Sequence, residues 1–363
     1  MSNGTQQNTP VTPQTLLGAR PRWHLAVPLK VAEGFGERFQ PTGFPNLGAA
    51  LYKAVVDGKS VDHLLVETAQ SLANWMEHVC LDPQKPCRYN GDCTGIPYVV
   101  VQETVNAAPT DLTSSLTEPH RLGSDALIGT ESRRTDFFNQ LNRLLSIDEN
   151  RPAHLPRFAK RLFYIDPACL LHGVFLDQLD NRVRFSRLLS CSITAKHPQT
   201  VNSGGQMRGY ETLKSKDGQP NSIPYSRQEF TSREITLHLT FHTDSLEDLG
   251  LDLAEQQFLA AFALYKINKL LASFPRLRTA CVFDSGLSGT CNLDLTAAIQ
   301  STFTTERRGK TLGEANTDLP KPNIVEGSKG QRGFQPFVVT RAAVPIRQEP
   351  AQPQPPTQQT PGT

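Results

Sequence analysis

Hydrophobic residues recur every three to four positions along two long stretches of the chain. Residues 61–79, VDHLLVETAQSLANWMEHV, keep this spacing and predict one amphipathic helix, and the more apolar residues 253–273 predict a buried one. A shorter helix is predicted over 135–147. On the first helix the polar face is rich in amides and hydroxyls and poor in lysine: Glu67, Gln70, Ser71, Asn74 and Glu77. This face either contacts a partner or only faces water.

Alternating hydrophobic and polar positions predict strands elsewhere. Residues 234–242 alternate most regularly, because Ile235, Leu237 and Leu239 all point to one side of an extended chain. Further strands are predicted over residues 23–31, 98–102, 161–165, 170–176, 185–195, 279–284 and 337–346. Strands and helices that mix without regular alternation predict the α+β class.

Hydrophilic segments divide the chain. Residues 1–20 and the Pro/Gln-rich residues 347–363 lack apolar anchors and predict a disordered N-terminal arm and a disordered tail. Between them, one domain is predicted over 21–346. It contains insertions at about 80–135 and 198–230, and the second is rich in glycine and predicts a protruding hairpin or loop.

Charge and cysteine content narrow the possible functions. The 363 residues carry a net charge of only +2, so the molecule as a whole has no field that favours nucleic acid. Residues 182–233, however, hold nine basic and three acidic side chains. Seven cysteines at scattered spacings indicate a reduced, cytoplasmic protein. The longest apolar run, residues 258–264, is far too short to cross a membrane, and no signal peptide is expected.

Motifs for known chemistries are few. The sequence contains no P-loop, no G-x-S-x-G and no H-E-x-x-H. Four possible zinc ligands fall within sixteen residues: His78, Cys80, Cys87 and Cys93. They lack a C-x-x-C pair, so ordinary free thiols are the alternative. His238 and His242 share one strand face and can cover a sheet or contact a partner.

A glycine-rich segment, GSKGQRGFQPF, precedes the last predicted strand. Its glycines let a backbone approach phosphates closely, and Lys329 and Arg332 would neutralise their charge. A flexible surface loop explains the same composition.

Four blocks of sequence, in order, resemble one known family. They are RFQPTGFPNLGAALY from residue 38, LLVETAQSLANWME from residue 64, LTEPHRLGS from residue 116 and HGVFLDQLDNRVRFSRLLSCSITA from residue 172. Together they are similar to the RAMP-superfamily backbone subunit of the CRISPR type I-G (formerly I-U) Cascade effector complex. The resemblance spans about residues 22–346.

This resemblance implies a fold and a function. The fold would be an RRM-like (ferredoxin-like) palm with large insertions, including a thumb-like hairpin. The protein would bind crRNA, polymerise with copies of itself along the guide and present it for pairing with target DNA. Its partners would be the large subunit, the crRNA-end-capping subunit and a recruited helicase-nuclease, with no membrane. It would be no enzyme and need no cofactor. The alternative is an RNA-cleaving relative, similar to type III backbone subunits, that uses Asp111 or Asp125.

Single-stranded RNA needs cations along its phosphates and polar groups for its ribose hydroxyls. Side chains of these types, in or near the four blocks and in the two glycine-rich segments, are the candidate RNA contacts. They are Thr42, Gly43, Gln70, Ser71, Asn74, His120, Arg121, Arg182, Arg184, Arg187, Lys214, Lys216, Lys329 and Arg332.

Overall fold

The computed structural model describes residues 11–44, 47–105, 108–130, 133–134, 136–145, 154–179, 183–201, 207–214, 220–226, 228–287, 293–312, 325–326, 332–333 and 337–341. Helices in these ranges are α1 Pro13–Gly18, α2 Ala69–His78, α3 Asp125–Ile128, α4 Asp136–Leu145, α5 Leu155–Phe163, α6 Ala168–His172, α7 Thr243–Glu247, α8 Leu253–Ala272, α9 Thr296–Thr302 and α10 Thr305–Leu312. Two 3₁₀ turns span Gly91–Cys93 and Arg121–Gly123.

The strands range from two to nine residues in length. They are β1 Trp23–Val31, β2 Gly43–Phe44, β3 Gly48–Ala49, β4 Leu51–Val56, β5 Lys59–Glu67, β6 Leu81–Asp82, β7 Lys85–Tyr89, β8 Val99–Val105, β9 Ala108–Ser114, β10 Gly129–Thr130, β11 Arg133–Arg134, β12 Val174–Leu176, β13 Val183–Phe185, β14 Leu189–Lys196, β15 Gln199–Val201, β16 Met207–Lys214, β17 Pro220–Ser226, β18 Glu229–Thr231, β19 Glu234–Phe241, β20 Phe283–Asp284, β21 Val325–Glu326, β22 Arg332–Gly333 and β23 Phe337–Arg341.

The central sheet has six strands in the order β20-β1-β19-β14-β5-β4. Its first four strands, with two helices, follow the chain as β1, α2, β14, β19, α8 and β20, the strand–helix–strand–strand–helix–strand order of the ferredoxin-like fold. Their neighbouring pairs are all antiparallel. The α+β class is therefore confirmed, and the topology is consistent with an RRM-like palm.

One face of this sheet builds the core. On β19 buried and half-buried residues alternate, and the predicted apolar set, Ile235, Leu237 and Leu239, is the buried one. Helix α2 packs against β14, and α8 packs against α1, α2 and α9. Because α8 is enclosed on several sides, thirteen of its twenty residues are buried, as its high content of apolar residues predicts.

The predicted helix over 61–79 is wrong in its first half. Residues Lys59–Glu67 form strand β5, which pairs with β4 through a two-residue turn, Asp57-Gly58. Both turn residues have positive φ, 51° and 75°, as a hairpin turn that follows the twist of the strands requires. The helix begins only after Thr68, whose side chain accepts a hydrogen bond from the Ser71 N–H.

Three other expectations are corrected. Residues 161–165 belong mainly to α5 and not to a strand, because His154 caps that helix and Phe158 and Leu162 bury one side of it. Residues 170–176 divide between α6 and β12. Residues 13–18 of the predicted disordered arm form α1, which is anchored by buried Leu16. The N-terminal residues 1–10 and the predicted tail lie outside the described residues.

The segment between β14 and β19 contains two antiparallel strand pairs, β15 with β18 and, between these two in the chain, β16 with β17. Each pair is a two-stranded sheet separate from the central one. Within the described residues of 198–230, the paired strands agree with the hairpin alternative of the prediction.

Candidate nucleic-acid interface

A groove of about 960 Å³ lies where five separate segments of the chain meet. We call it the α2–α6 groove, because Gln70 near the start of α2 and His172 at the end of α6 both line it. The other lining residues come from the 3₁₀ turn and α3, from the β12–β13 hairpin, from the loop before β14 and from α7. Five predicted RNA contacts meet here: Gln70, His120, Arg121, Arg184 and Arg187.

The polar face of α2 forms one wall of the groove. The Gln70 side chain donates to Asn74 Oδ1 at 3.1 Å and to the Pro119 carbonyl at 3.3 Å, so it ties α2 to the loop that carries exposed His120. Its own oxygen accepts a hydrogen bond from Arg187 on the opposite wall. The amide of Gln70 therefore lies on the groove surface with both its nitrogen and its oxygen hydrogen-bonded.

Arg121 lies under the groove surface. Its guanidinium donates to both carboxylate oxygens of Glu77, at 2.6 and 2.7 Å, and to the Gly173 carbonyl at 3.1 Å. Its side chain is 3% exposed and that of Glu77 is 2% exposed. The pair joins the end of α2 to the start of the β12–β13 hairpin. In this structure the Arg121 guanidinium bonds to groups of its own chain, and its contact with RNA stays an untested prediction.

The β12–β13 hairpin presents an aromatic ring and a cation side by side. Alternation along the two strands buries Val174 and Leu176 and leaves Phe175 exposed, and it leaves Arg184 exposed between two buried neighbours. Phe175 and Arg184 are cross-strand partners, with the guanidinium carbon 5.9 Å from the ring centroid. Phe175 is 49% exposed, so the hairpin offers a free ring face together with a charge.

Phe175 is absent from the set of contacts predicted from the sequence. The signal for it was present in the three-residue runs VFL and VRF, where an outward aromatic and an outward arginine stand between inward apolar residues. The runs were too short to show which side of the hairpin is buried before the strands were paired.

A buried histidine and lysine support the groove from behind. Lys266 Nζ lies 3.1 Å from His172 Nε2, and both side chains are fully buried. Burial, and then the neighbouring charges of Lys266, Arg121 and Arg187, hold the pKa of His172 well below its usual range. His172 therefore stays neutral in the folded protein at physiological pH.

Several predicted contacts lie away from the groove or outside the described residues. The Thr42 N–H donates to the Val66 carbonyl of β5, and Gly43 begins β2. Ser71 and Asn74 are half-buried on α2, and none of these four residues lines the groove. Lys214 ends β16 and Arg332 begins β22. The positions of Arg182, Lys216 and Lys329 lie outside the described residues.

The zinc candidates do not converge. Within the described residues no group of three or more His, Cys, Asp or Glu side chains could hold a metal ion. Cys80 and Cys93 are buried together, whereas Cys87 is half-buried on β7 and His78 is exposed with its ring against Trp75. The free-thiol alternative describes these cysteines better.

The two aspartates of the nuclease alternative lie in different places. Asp111 is bound to Arg88 at 2.5 and 3.0 Å and to Gln102 at 2.6 Å, which holds its pKa below the usual range, and it does not line the groove. Asp125 does line the groove, and there it accepts a hydrogen bond from Gln178 at 2.8 Å.

A membrane-crossing helix is not found in the described ranges, because none of their helices is both long and apolar enough. The histidine pair predicted to share one face of β19 is divided between elements. His238 stacks on His24 of β1 with ring centroids 5.7 Å apart, and His242 lies just past the strand end and lines the groove.

Comparisons with known proteins give one family match. No curated protein matches the chain. A solved structure described as "CRISPR RNA-guided surveillance complex, pre-nicking" aligns with 69% of this chain and 72% of its own chain, at 12% identity and a TM-score of 0.27. Residues 24–198 match the family model described as CRISPR-associated protein GSU0053, and this segment contains every groove residue named above except His242.

Proposed function

We propose that this protein binds crRNA in the α2–α6 groove as the non-catalytic backbone subunit of a type I Cascade complex. The observation that carries the proposal is the meeting of Phe175, Arg184, Arg187, His120 and Gln70 around one groove. Arginines neutralise phosphates, amide and imidazole groups bond to ribose and phosphate oxygens, and an exposed ring stacks on bases. The match to a CRISPR-associated family over the same residues supports this class of function.

The architecture fits a subunit that repeats along a strand. In the proposed complex the β16–β17 hairpin is the thumb, because it lies in the chain between β14 and β19, two neighbouring strands of the palm sheet. Copies stack along the guide, next to the large subunit and the end-capping subunit, and a separate helicase-nuclease cuts the DNA. The wider function is cytoplasmic antiviral defence.

Titration of single-stranded RNA tests the proposal. Replacing Arg184 and Arg187 with methionine removes two cations from the groove, and we expect the slope of log affinity against log salt to fall by about 1.4, since each single-strand phosphate contact contributes about 0.7. The control is the double variant Lys59→Met, Lys85→Met, which removes the same charge from exposed positions outside the groove. Equal losses in the two variants, or an unchanged slope in the first, would contradict the proposal.

The nuclease alternative has one observation in its favour, the position of Asp125 in the groove. Its carboxylate already accepts a bond from Gln178, and Asp111 is not among the groove-lining residues. Incubating bound RNA with the protein and divalent metal ions, and then sizing the RNA, separates the two functions. Intact RNA supports the binding subunit, and cleavage that Asp125→Asn abolishes supports the nuclease.

A further inference from the structure

The floor of the α2–α6 groove contains three polar side-chain atoms that are shielded from solvent and have no hydrogen-bond partner in the described residues. They are His172 Nδ1, Gln178 Oε1 and Arg187 Nε. Buried polar groups are nearly always paired, because an unpaired one loses its bonds to water and gains nothing in return. Three such atoms in one groove therefore indicate that a polar ligand completes the site.

Local chemistry defines whether each atom donates or accepts. A lysine ammonium can only donate, so His172 Nε2 accepts from Lys266 and the proton of the neutral ring lies on Nδ1. A carboxylate can only accept, so the Gln178 amide directs its nitrogen to Asp125 and its oxygen remains the unpaired atom. Arg187 Nε is a donor. The floor thus offers two N–H donors and one carbonyl acceptor.

These groups are arranged along the β12–β13 hairpin. His172 precedes it and Arg187 follows it, and a side chain at position 173 would meet Arg187 Cγ at 3.2 Å, so the two donors flank the root of the hairpin. Gln178 follows β12 at the turn. Exposed Phe175 lies on the strand between them.

We propose that this floor distinguishes RNA from DNA: a backbone phosphate accepts from His172 Nδ1–H and Arg187 Nε–H at the root, and a ribose 2′-hydroxyl donates to Gln178 Oε1 at the turn. This inference rests on the proposed RNA-binding function and adds a residue that selects the sugar. A 2′-hydroxyl is the group that separates RNA from DNA in protein recognition, and it can donate to a carbonyl.

Entry of the strand requires Arg187 to move. Its guanidinium bonds to Gln70 across the groove, and the unpaired atoms lie beneath the surface. A phosphate replaces Gln70 as the acceptor for Arg187, and a charge-assisted bond to phosphate is stronger than a bond to a neutral amide. The Arg187–Gln70 contact therefore opens when RNA binds, and its opening frees the Gln70 amide oxygen for a contact with the strand.

The experiment compares one unstructured RNA oligonucleotide with its fully 2′-fluoro counterpart, which keeps the RNA sugar pucker but has no 2′ proton to donate. We expect the parent protein to bind RNA roughly tenfold more tightly, the effect of leaving one shielded acceptor unpaired. In Gln178→Met the two affinities become equal. The matched control Gln84→Met makes the same replacement at an exposed position outside the groove and keeps the tenfold preference.

The two N–H donors are tested by the absolute affinity for both oligonucleotides, and not by the preference for RNA over its 2′-fluoro counterpart. His172→Phe removes the Nδ1–H donor, so we expect it to weaken both probes by the same factor and to preserve the preference for RNA. Arg187→Met replaces it if melting curves show that His172→Phe does not fold. Equal binding of both probes by the parent, or an unchanged preference in Gln178→Met, overturns the sugar selection while RNA binding stands. Failure of the parent to bind either probe overturns the proposed function itself.

Discussion

Replacing Glu77 with glutamine tests the ion pair beneath the groove. The substitution keeps the shape of the side chain but removes the charge that Arg121 faces, and both residues are almost completely buried. Removing one partner of a buried pair leaves an uncompensated charge in a poorly solvated site, which typically costs about 3–5 kcal/mol. Domains are commonly stable by about 5–15 kcal/mol, so the variant should lose a large part of its stability.

Urea unfolding of three variants separates the ion pair from its packing. We expect Glu77→Gln to lower the free energy of unfolding by about 3–5 kcal/mol. Exposed Glu33, which forms no ion pair with the described residues, provides the control Glu33→Gln, and the free energy of unfolding of this variant should change by at most about 0.5 kcal/mol. The double variant Glu77→Met, Arg121→Met should recover most of the loss, because no unpaired charge remains.

A binding measurement then tests the positional role. Arg121 connects the end of α2, through Glu77, to the Gly173 carbonyl at the root of the β12–β13 hairpin. If this connection positions the groove walls, the double variant binds RNA more weakly than its stability predicts. A Glu77→Gln variant as stable as the parent would refute the reasoning, since it would mean that Arg121 reaches water or another acceptor.

Three further outcomes follow from the same structure. Leu72→Ala on the buried side of α2 should lower the free energy of unfolding by about 2–5 kcal/mol. Gln70→Ala combined with Asn74→Ala should change it by only about 0.5 kcal/mol for each residue, yet weaken RNA binding. Thermal melts measure the stability of both variants, and RNA titrations measure their affinity. Because the pKa of His172 is lowered in the folded protein, the unfolded chain binds the extra proton first as the pH falls. The stability that the neutral ring contributes is therefore present above about pH 6.5 and is lost as the pH falls below that value. The dependence of unfolding free energy on pH in this range should be weaker in His172→Phe. RNA affinity should fall steeply between low and physiological salt, and a flat response in a filter-binding series would contradict phosphate contacts.

Hydrophobic periodicity correctly predicted the elements that pack against the core with a regular pattern of buried residues. Strand β19 alternates because one face of it lies on the core, and α8 is largely apolar because other helices pack against several of its sides. Residues 61–67 were misassigned because Val61, Leu64 and Leu65 satisfy helical spacing by chance. The Asp57-Gly58 turn before them is the stronger local signal, and it specifies a hairpin.

The groove could be predicted only in part. Gln70, His120 and Arg187 were identifiable as polar side chains of suitable type, but they lie on segments up to 117 residues apart, and no local pattern specifies that these segments meet. Burial was also invisible from the sequence. Arg121 and exposed Arg184 are the same residue type, and only the fold shows that Glu77 and Gly173 engage the first.

The buried ionisable residues behind the groove explain why its walls hold their geometry. Glu77, Arg121, Lys266, His172 and Asp166 are all buried, and burial raises the pKa of Glu77 and of Asp166 against the opposing charges of Lys266 and Arg121. Such clusters contribute little net stability, since well-packed apolar residues would serve as well. Each member has directional bonds, however, and these fix α2, α6 and the hairpin root in one register. A surface that presents donors to a flexible strand needs that fixed register, because mobile walls would lose conformational entropy when the strand binds and the affinity would fall.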